Sequence, residues 1–153
     1  MGVKVEYAAL KRFRDNMEKL SREQIKRFSE DAVNELAMRL LAKVRKRTPV
    51  YTSIPDDVNA HPGGTLRQKW DVGNVIREGD AYYVDIINPV PYAIYVEYGH
   101  RGVYVPKIGK VLHVDKRWTE GRFMLTISEE ELQKSAPRIL QNKLKGFMEG
   151  INA

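Results

Sequence analysis

The sequence has no cysteine among its 153 residues. Disulfide-stapled domains, thiolate nucleophiles and the usual cysteine-based structural zinc sites are therefore excluded. Apolar runs are short, since none approaches the roughly 18 residues that a membrane-spanning helix needs, and residues 1–20 lack a signal-peptide core. We expect a protein that has no membrane segment, is made in the cytoplasm and is stabilised by packing or assembly.

The composition is that of a globular protein, with 42% hydrophobic and 30% charged residues. A chain of this length fits one domain, so we predict a single domain over residues 1–153. Within it we expect a helical basic arm over 1–47, a long loop over 48–65, a sheet region over 66–127 and a C-terminal helix over 128–153.

The net charge of +6 is unevenly distributed. Residues 1–47 contain 13 Lys and Arg against 7 Asp and Glu, whereas residues 48–153 contain 13 of each. A basic surface attracts nucleic acid or an acidic protein face. A solvated helix face rich in Lys and Arg is the simpler interpretation. A small basic nucleic-acid-binding module remains an alternative function.

Two capping-box spacings predict the starts of long helices. Ser21 with Gln24 precedes an apolar stripe that continues to Thr48-Pro49, and a shorter helix is expected over Val5–Leu20. Ser128 with Glu131 predicts the start of the C-terminal helix. Because an interior proline removes a helical hydrogen bond, Pro137 predicts a kink, or a break into two helices near Ser135-Ala136.

The middle of the chain is predicted to alternate between loop, strand and one short helix. Residues 50–65 are rich in turn-forming residues and should form a long loop. From Leu66 onwards, Trp70, Val72, Asn74 and Ile76 alternate with polar residues, and Tyr82, Val84 and Ile86 do so after the turn at Glu78-Gly79-Asp80. This pattern predicts an antiparallel hairpin.

Pro91 and Gly99 bracket a predicted short helix over Tyr92–Tyr98. Val103–Val105 and Val111–Val114 fit either a second hairpin or an extended arm. The fold class is therefore α+β, with N-terminal helices, a small antiparallel sheet containing a short inserted helix, and a kinked C-terminal helix.

The sequence does not point to catalysis. His61, His100 and His113, with Glu97 and Asp115, have irregular spacing and lack the paired histidines of a helical zinc motif. We expect no enzyme activity, no metal and no cofactor. A small metal-dependent hydrolase is kept as an alternative that elemental analysis of the purified protein would test.

Side chains typical of protein interfaces are concentrated in the middle of the chain. Six tyrosines lie between Tyr82 and Tyr104, where such rings serve equally well in a small core or an interface. Glu97 is predicted to form a structural salt bridge with Arg67. Alternatively, Arg67, Glu97 and Arg101 lock a loop to the sheet or reach across a subunit boundary.

Three segments, in this order, together resemble a known family: residues 63–67 (GGTLR), residues 92–101 (YAIYVEYGHR) and residues 120–124 (EGRFM). They resemble the phage tail-completion or head–tail joining family, which is related to the lambda-type minor tail protein Z and includes defective-prophage and tail-like bacteriocin variants. The Thr48-Pro49-Val50 helix stop and the closing amphipathic helix also resemble that family.

The resemblance implies an α+β subunit that forms a ring, commonly sixfold, at the head-proximal end of a tail. The implied partners are further copies of the chain, the tail terminator or tube protein, and the head connector or stopper proteins, with DNA close by in the channel. The implied location is the virion, after assembly in the host cytoplasm. The motif positions carried over as binding or structural residues are Gly64, Leu66, Arg67, Tyr92, Glu97, Gly99, His100, Arg101 and Phe123.

A ring of identical subunits needs two different complementary faces on each copy. We expect residues 1–47 and the loop 50–65 to contact neighbouring subunits and rings. The sheet and the last helix are then expected to form the core.

Overall fold

The structure is a computed structural model that describes residues 21–50, 63–105, 110–112 and 118–151, together with Asp15 and Glu18. The described residues form four helices: α1 (Arg22–Arg47), α2 (Thr65–Gln68), α3 (Ala93–Tyr98) and α4 (Met124–Ile151). They also form eight short strands: β1 (Asp71–Val72), β2 (Ile76–Glu78), β3 (Ala81–Tyr83), β4 (Ile86–Ile87), β5 (Gly99–Arg101), β6 (Val103–Val105), β7 (Lys110–Leu112) and β8 (Trp118–Glu120). This architecture confirms the α+β class.

Helix α1 begins at the predicted capping box. The Ser21 hydroxyl accepts from the Gln24 backbone N–H at 3.2 Å, and the Gln24 side chain accepts from the Ser21 N–H at 2.9 Å. The helix ends before Thr48, as predicted. The helix predicted over residues 5–20 and the loop residues 51–62 lie outside the described residues, although Asp15 and Glu18 are helical.

Helix α4 corrects the prediction for the C-terminal helix. It begins at Met124 rather than at Ser128, whose hydroxyl is buried and donates to the Met124 carbonyl at 2.6 Å. The helix also runs through Pro137 to Ile151, so the predicted break into two helices is wrong. Pro137 has no backbone N–H to donate to the Gln133 carbonyl. Both residues lie at exposed positions, where water can replace that donor.

The two long helices, α1 and α4, pack side by side in opposite directions. The rings of Phe28 and Phe147 lie 4.9 Å apart between centroids at one end. At the other end, Arg47 contacts Glu131 at 2.5 Å. The two helices are therefore antiparallel, and Arg22 and Ile151 lie at the same end of the pair.

Strands β1 to β4 form one bent hairpin, as the period-two pattern predicted. A two-residue turn, Gly79-Asp80, joins β2 to β3, and the Gly79 φ of 61° suits the first position of a type II′ turn. The expectation of a strand from Leu66 onwards is wrong, because Thr65–Gln68 forms the short helix α2 and pairing starts at Asp71.

The bend in this hairpin is a change of register. Asp71 pairs with Ile87, and Ile76 pairs with Tyr83, so one strand has one more residue than its partner between the two pairs. This is the count of a β-bulge, and it reverses which face the side chains beyond it occupy. Ile76, predicted to face inward with Val72, is consequently 52% exposed.

The second hairpin extends from Gly99 to Glu120. Its described ladders pair β5 with β8 and β6 with β7, and Gly102, with φ of 89°, lies between β5 and β6. Of the two alternatives for Val103–Val105, the hairpin is confirmed, although the partner strand is Lys110–Leu112. The single small sheet that was expected is thus two separate hairpins.

The core lies where the C-terminal half of α1 meets the first hairpin and the start of α4. Its buried cluster contains Leu41, Val44, Leu66, Trp70 and Met124. Partly buried apolar side chains from β1, β4, α3 and the loop before α3 pack against it. Segments distant in sequence therefore share one cluster.

Candidate functional site

Thr48 joins the end of α1 to the segment that follows Gly64. Its side chain is fully buried, donates to the Val44 carbonyl at 2.7 Å and accepts from the indole N–H of Trp70 at 2.8 Å. Its carbonyl accepts two hydrogen bonds from Arg67, at 3.0 Å from Nε and 2.6 Å from Nη2. The forked guanidinium thus fixes the orphan carbonyl at the helix end.

Leu66 and Gly64 complete this junction. Leu66 is 5% exposed and belongs to the core, while its carbonyl accepts from the Asn88 amide at 2.8 Å. Gly64 precedes α2 with φ of 102°, a left-handed conformation that favours glycine. The end of α1 is therefore connected to the first hairpin, and to Asn88 just after it, by the motif residues Gly64, Leu66 and Arg67.

Glu97 caps the start of α4. Its side chain is 6% exposed and accepts from the backbone N–H groups of Leu125 at 3.0 Å and Thr126 at 2.9 Å, and from the Thr126 hydroxyl at 2.7 Å. A carboxylate at this place satisfies unpaired N–H groups and complements the positive end of the helix dipole. The predicted Arg67–Glu97 salt bridge is wrong, since each residue has a different partner.

Backbone segments approach closely beside Glu97. A Cβ at Gly99 would lie 2.5 Å from the Thr119 carbonyl oxygen, and one at Gly121 would collide with the Glu97 carbonyl. Phe123 has a φ of 47°, which is unusual for a bulky residue, and its N–H donates to the Glu97 carbonyl at 3.0 Å. The glycines allow the second hairpin to meet α3 and α4.

The remaining predicted residues surround this junction. The His100 ring meets Tyr95 edge-on at 5.9 Å between centroids, and His100 Nδ1 is buried without a hydrogen-bond partner among the described residues. Tyr92 packs against the core cluster. Arg101 is exposed and lies opposite Trp118 in the ladder.

The structure thus brings seven of the nine predicted residues into two neighbouring junctions. Gly64, Leu66 and Arg67 lie at the end of α1, and Glu97, Gly99, His100 and Phe123 lie around the start of α4. Arg67 and Glu97 support the architecture, because their polar side-chain atoms bond to backbone groups. Three of the nine residues are exposed: Arg67, Arg101 and Phe123.

Sequence reasoning singled out Phe123 but missed the other members of two sets of exposed apolar side chains. The hairpin face consists of three residues on the outer side of the first hairpin, each about half exposed: Ile76, Tyr83 and Ile87. The aromatic corner consists of five residues at the junction of α3, α4 and the second hairpin: Ile94, Tyr98, Trp118, Phe123 and Ile127. The tyrosine cluster was the available signal, but it did not distinguish Tyr83 and Tyr98 from partly buried neighbours such as Tyr82.

The aromatic corner is continuous. The Tyr98 and Phe123 rings meet edge-on at 6.4 Å between centroids, and Trp118 reaches the position next to Gly99. Ile94 lies one helical turn before Tyr98, and Ile127 one turn after Phe123. Apolar side chains that adjoin one another in this way on a surface are typical of interaction sites.

Most charges on the two long helices are paired. Glu131 contacts Lys43 at 2.9 Å as well as Arg47, and the hydrogen bond from Lys43 is the main cause that lowers the pKa of Glu131. Hydrogen bonds from Arg39 and then Lys143 lower the pKa of Glu35. These carboxylates link α1 to α4 and serve the fold.

The part of the chain that the structure describes contains no group of three or more His, Cys, Asp or Glu side chains placed to hold a metal ion. Within that same part, no helix combines the length and the apolar character needed to cross a membrane.

Comparison with known proteins gives one family. A model of the HK97-gp10-like family, described as "Bacteriophage HK97-gp10, putative tail-component", matches residues 11–99, which is more than half of the chain. No curated protein and no solved structure matches the chain. The matched range includes α1, the first hairpin, α3 and the junction at Thr48.

Proposed function

The chain belongs to the HK97-gp10-like family of bacteriophage tail components, and we propose that it is a tail-completion or neck protein. In this proposal it forms a ring at the head-proximal end of the tail and joins the tail to the head connector. Its neighbours are further copies of itself, the tail terminator or tube protein, and the connector or stopper proteins. It functions in the virion after assembly in the host cytoplasm.

The observation that carries the proposal is the joining of three motif segments into one framework. Residues 63–67 bind the end of α1 through Arg67, and residues 92–101 bind residues 120–124 through the Phe123 N–H and the Glu97 carbonyl. The third segment lies beyond the range of the family match, yet it belongs to the same framework. This supports the resemblance to tail-completion proteins, which is more specific than membership of a family of tail components.

The surface supports a role in assembly rather than in chemistry. Two sets of apolar side chains, each with residues more than half exposed, lie on different elements of the body. A ring subunit needs two unlike faces for its two neighbours. The ion-paired helices, by contrast, act as a scaffold that holds the hairpins.

The test is electron microscopy of particles from producer cells that lack the gene. Separate heads and tails, or tails of abnormal length, are expected, and expression of the intact chain in trans should restore joined particles. Normal numbers of joined particles in the deletion strain would contradict the proposal.

The nucleic-acid-binding alternative is less well supported. Of the eight Lys and Arg residues in α1, five form ion pairs with carboxylates of α1 or α4. A dedicated DNA-binding surface would lose affinity steeply with salt because bound counterions are released. Measuring the affinity for duplex DNA at several salt concentrations separates the two functions, since a neck subunit needs only weak, sequence-independent binding.

A further inference from the structure

The two hairpins carry opposite charges. Residues 71–87 contain four acidic residues and one basic residue, a net charge of −3, whereas residues 99–120 contain five basic and two acidic residues, a net charge of +3. Each hairpin lies at one of the two exposed apolar surfaces. The two hairpins therefore differ in the net charge of their sequences as well as in the apolar surface at which each lies.

The hairpin face combines apolar and acidic side chains in one row. Tyr83, Asp85 and Ile87 alternate with half-buried residues along one strand, so all three point outward. Ile76 lies directly opposite Tyr83, and Asp71 directly opposite Ile87. The bulge produces this row, since it turns Ile76 outward while Val72 and Ile86 stay against the core.

The aromatic corner has arginines at its edges. Arg101 is the ladder partner of Trp118, and cross-strand partners point to the same side of a sheet. Arg122 immediately precedes Phe123 in the chain. Both arginine residues are exposed.

These charges differ from those of the helices in having no ion-pair partner among the described residues. Among the described residues, neither Asp71, Asp85, Arg101 nor Arg122 forms an ion pair, whereas Glu35 and Glu131 each bind more than one cation. Acidic groups beside one apolar surface and basic groups beside another give complementary potentials, which favour one orientation of docking.

Both surfaces also expose apolar area that an interface could bury. Large side chains present about 150–250 Å² each, so residues that are roughly half exposed leave about 300 Å² on the hairpin face and about 500 Å² on the aromatic corner. With their polar margins, surfaces of this size approach the roughly 800 Å² that each partner contributes to a stable interface. Aromatic residues and arginine are the types enriched in such interfaces.

We propose that the hairpin face of one copy docks on the aromatic corner of the next copy, with Asp71 and Asp85 meeting Arg101 and Arg122. The contact is head-to-tail because the two faces differ, so it propagates from copy to copy and closes into a ring. This inference rests on the proposed function and names the surfaces that build the ring. It differs from the expectation that residues 1–47 and 50–65 make those contacts.

Sedimentation velocity of the purified full chain tests the inference with two double variants. The face variant, Ile76→Ser with Tyr83→Ser, changes only the hairpin face, and the corner variant, Ile94→Ser with Tyr98→Ser, changes only the aromatic corner. All four side chains are more than half exposed, so both variants should keep the wild-type circular dichroism and melting behaviour.

The wild-type chain should associate with increasing concentration, and each variant alone should remain monomeric. An equimolar mixture of the two variants should form a dimer and stop there. The intact hairpin face of the corner variant docks on the intact aromatic corner of the face variant, and the two surfaces left over are both altered. A wild-type chain that stays monomeric, or a mixture that stays monomeric, overturns the inference.

A matched control removes apolar side chains from α1 instead. Ile25 and Met38 are 40% and 51% exposed and belong to neither surface, so the Ile25→Ser, Met38→Ser variant should associate like the wild type. Loss of association in this control would place the contact on α1 and overturn the inference.

A charge exchange tests the orientation. Asp85→Arg alone and Arg101→Asp alone should each weaken association by about tenfold, and mixing these two variants should recover part of that loss. An unchanged affinity in both would contradict the orientation. The deletion phenotype does not depend on which surfaces meet, so a neck phenotype with a failed mixing experiment would retain the proposed function and remove this inference.

Discussion

Glu97 connects α3, the second hairpin and α4 through one side chain and one carbonyl group. The buried carboxylate accepts two backbone N–H groups and one hydroxyl at the start of α4, and the carbonyl accepts from Phe123. No cation neutralises it among the described residues. The helix end supplies the favourable potential, so the charge is stabilised by dipoles and hydrogen bonds.

Replacing this carboxylate should therefore be costly. Glu97→Ala leaves three partly buried donors without an acceptor and should lower the free energy of unfolding by about 2–4 kcal/mol. Glu97→Gln keeps one acceptor and should cost about 1–3 kcal/mol. Urea denaturation followed by circular dichroism measures both. The exposed Glu120→Gln is the control, and equal losses for Glu120 and Glu97 would contradict the capping role.

At the scale of elements, α1 and α4 are joined by ion pairs whose carboxylates titrate in acid. The pKa values of Glu131 and Glu35 lie below their ordinary value of 4.5 in the folded protein. A carboxyl group with a lowered pKa stabilises the fold above its ordinary pKa and loses that contribution as the pH falls through the folded value. The packing of α1 on α4 should thus weaken in acid.

The urea midpoint should fall as the pH is lowered from about 7 to about 3, and part of the fall should come from these two groups. In the Glu35→Gln, Glu131→Gln variant the pH dependence should be shallower, with little difference from the wild type at the acid end. The exposed Glu129→Gln, Glu130→Gln variant is the control. Identical pH profiles for all three proteins would contradict the assignment.

Pro137 offers a second test at this scale. Because it removes one hydrogen bond from the interior of α4 at an exposed position, Pro137→Ala should raise the free energy of unfolding by about 1–3 kcal/mol. Thermal melting measures the change, with the exposed Gln141→Ala as the control. A lower stability would show that the proline geometry is required by the packing on α1.

The elements that sequence reasoning found were those specified locally. The capping box at Ser21, the helix stop at Thr48 and the turn at Gly79 each carry their signal within a few residues. The start of α4 was misplaced at Ser128 because its real cap is Glu97, which is distant in sequence and becomes visible only when the chain is folded. The bulge was missed because it is a property of the pairing of two strands.

The candidate surfaces were predictable only in part, for a similar reason. The tyrosine-rich middle of the chain fitted a small core or an interface equally well, and alternation alone could not decide which rings face outward once a bulge shifts the register. Arg67 was recognised as a polar anchor, yet its partner is a backbone carbonyl at Thr48, and backbone acceptors leave no trace in the sequence.

At the scale of the whole molecule, one buried cluster holds the helices and the first hairpin together. Met124 is fully buried within it, so Met124→Ala should lower the free energy of unfolding by about 2–5 kcal/mol. The partly exposed Ile127→Ala is the control and should cost less than about 1 kcal/mol.

If residues 1–153 form the single domain that was predicted, circular dichroism and tryptophan fluorescence should report the same urea midpoint. Separate midpoints for the two probes would contradict a single cooperative unit.

The bulge in the first hairpin has a consequence for how such a subunit can change over time. Ile76, Tyr83 and Ile87 lie on the opposite face from Val72 and Ile86, so one short ribbon presents the proposed contact row on one side and a packing row on the other. Substitutions in the contact row leave the packing row intact. During evolution, substitutions at this surface can therefore adapt it to an altered neighbour while the protein keeps its ability to fold. Binding specificity and stability can then change independently of each other.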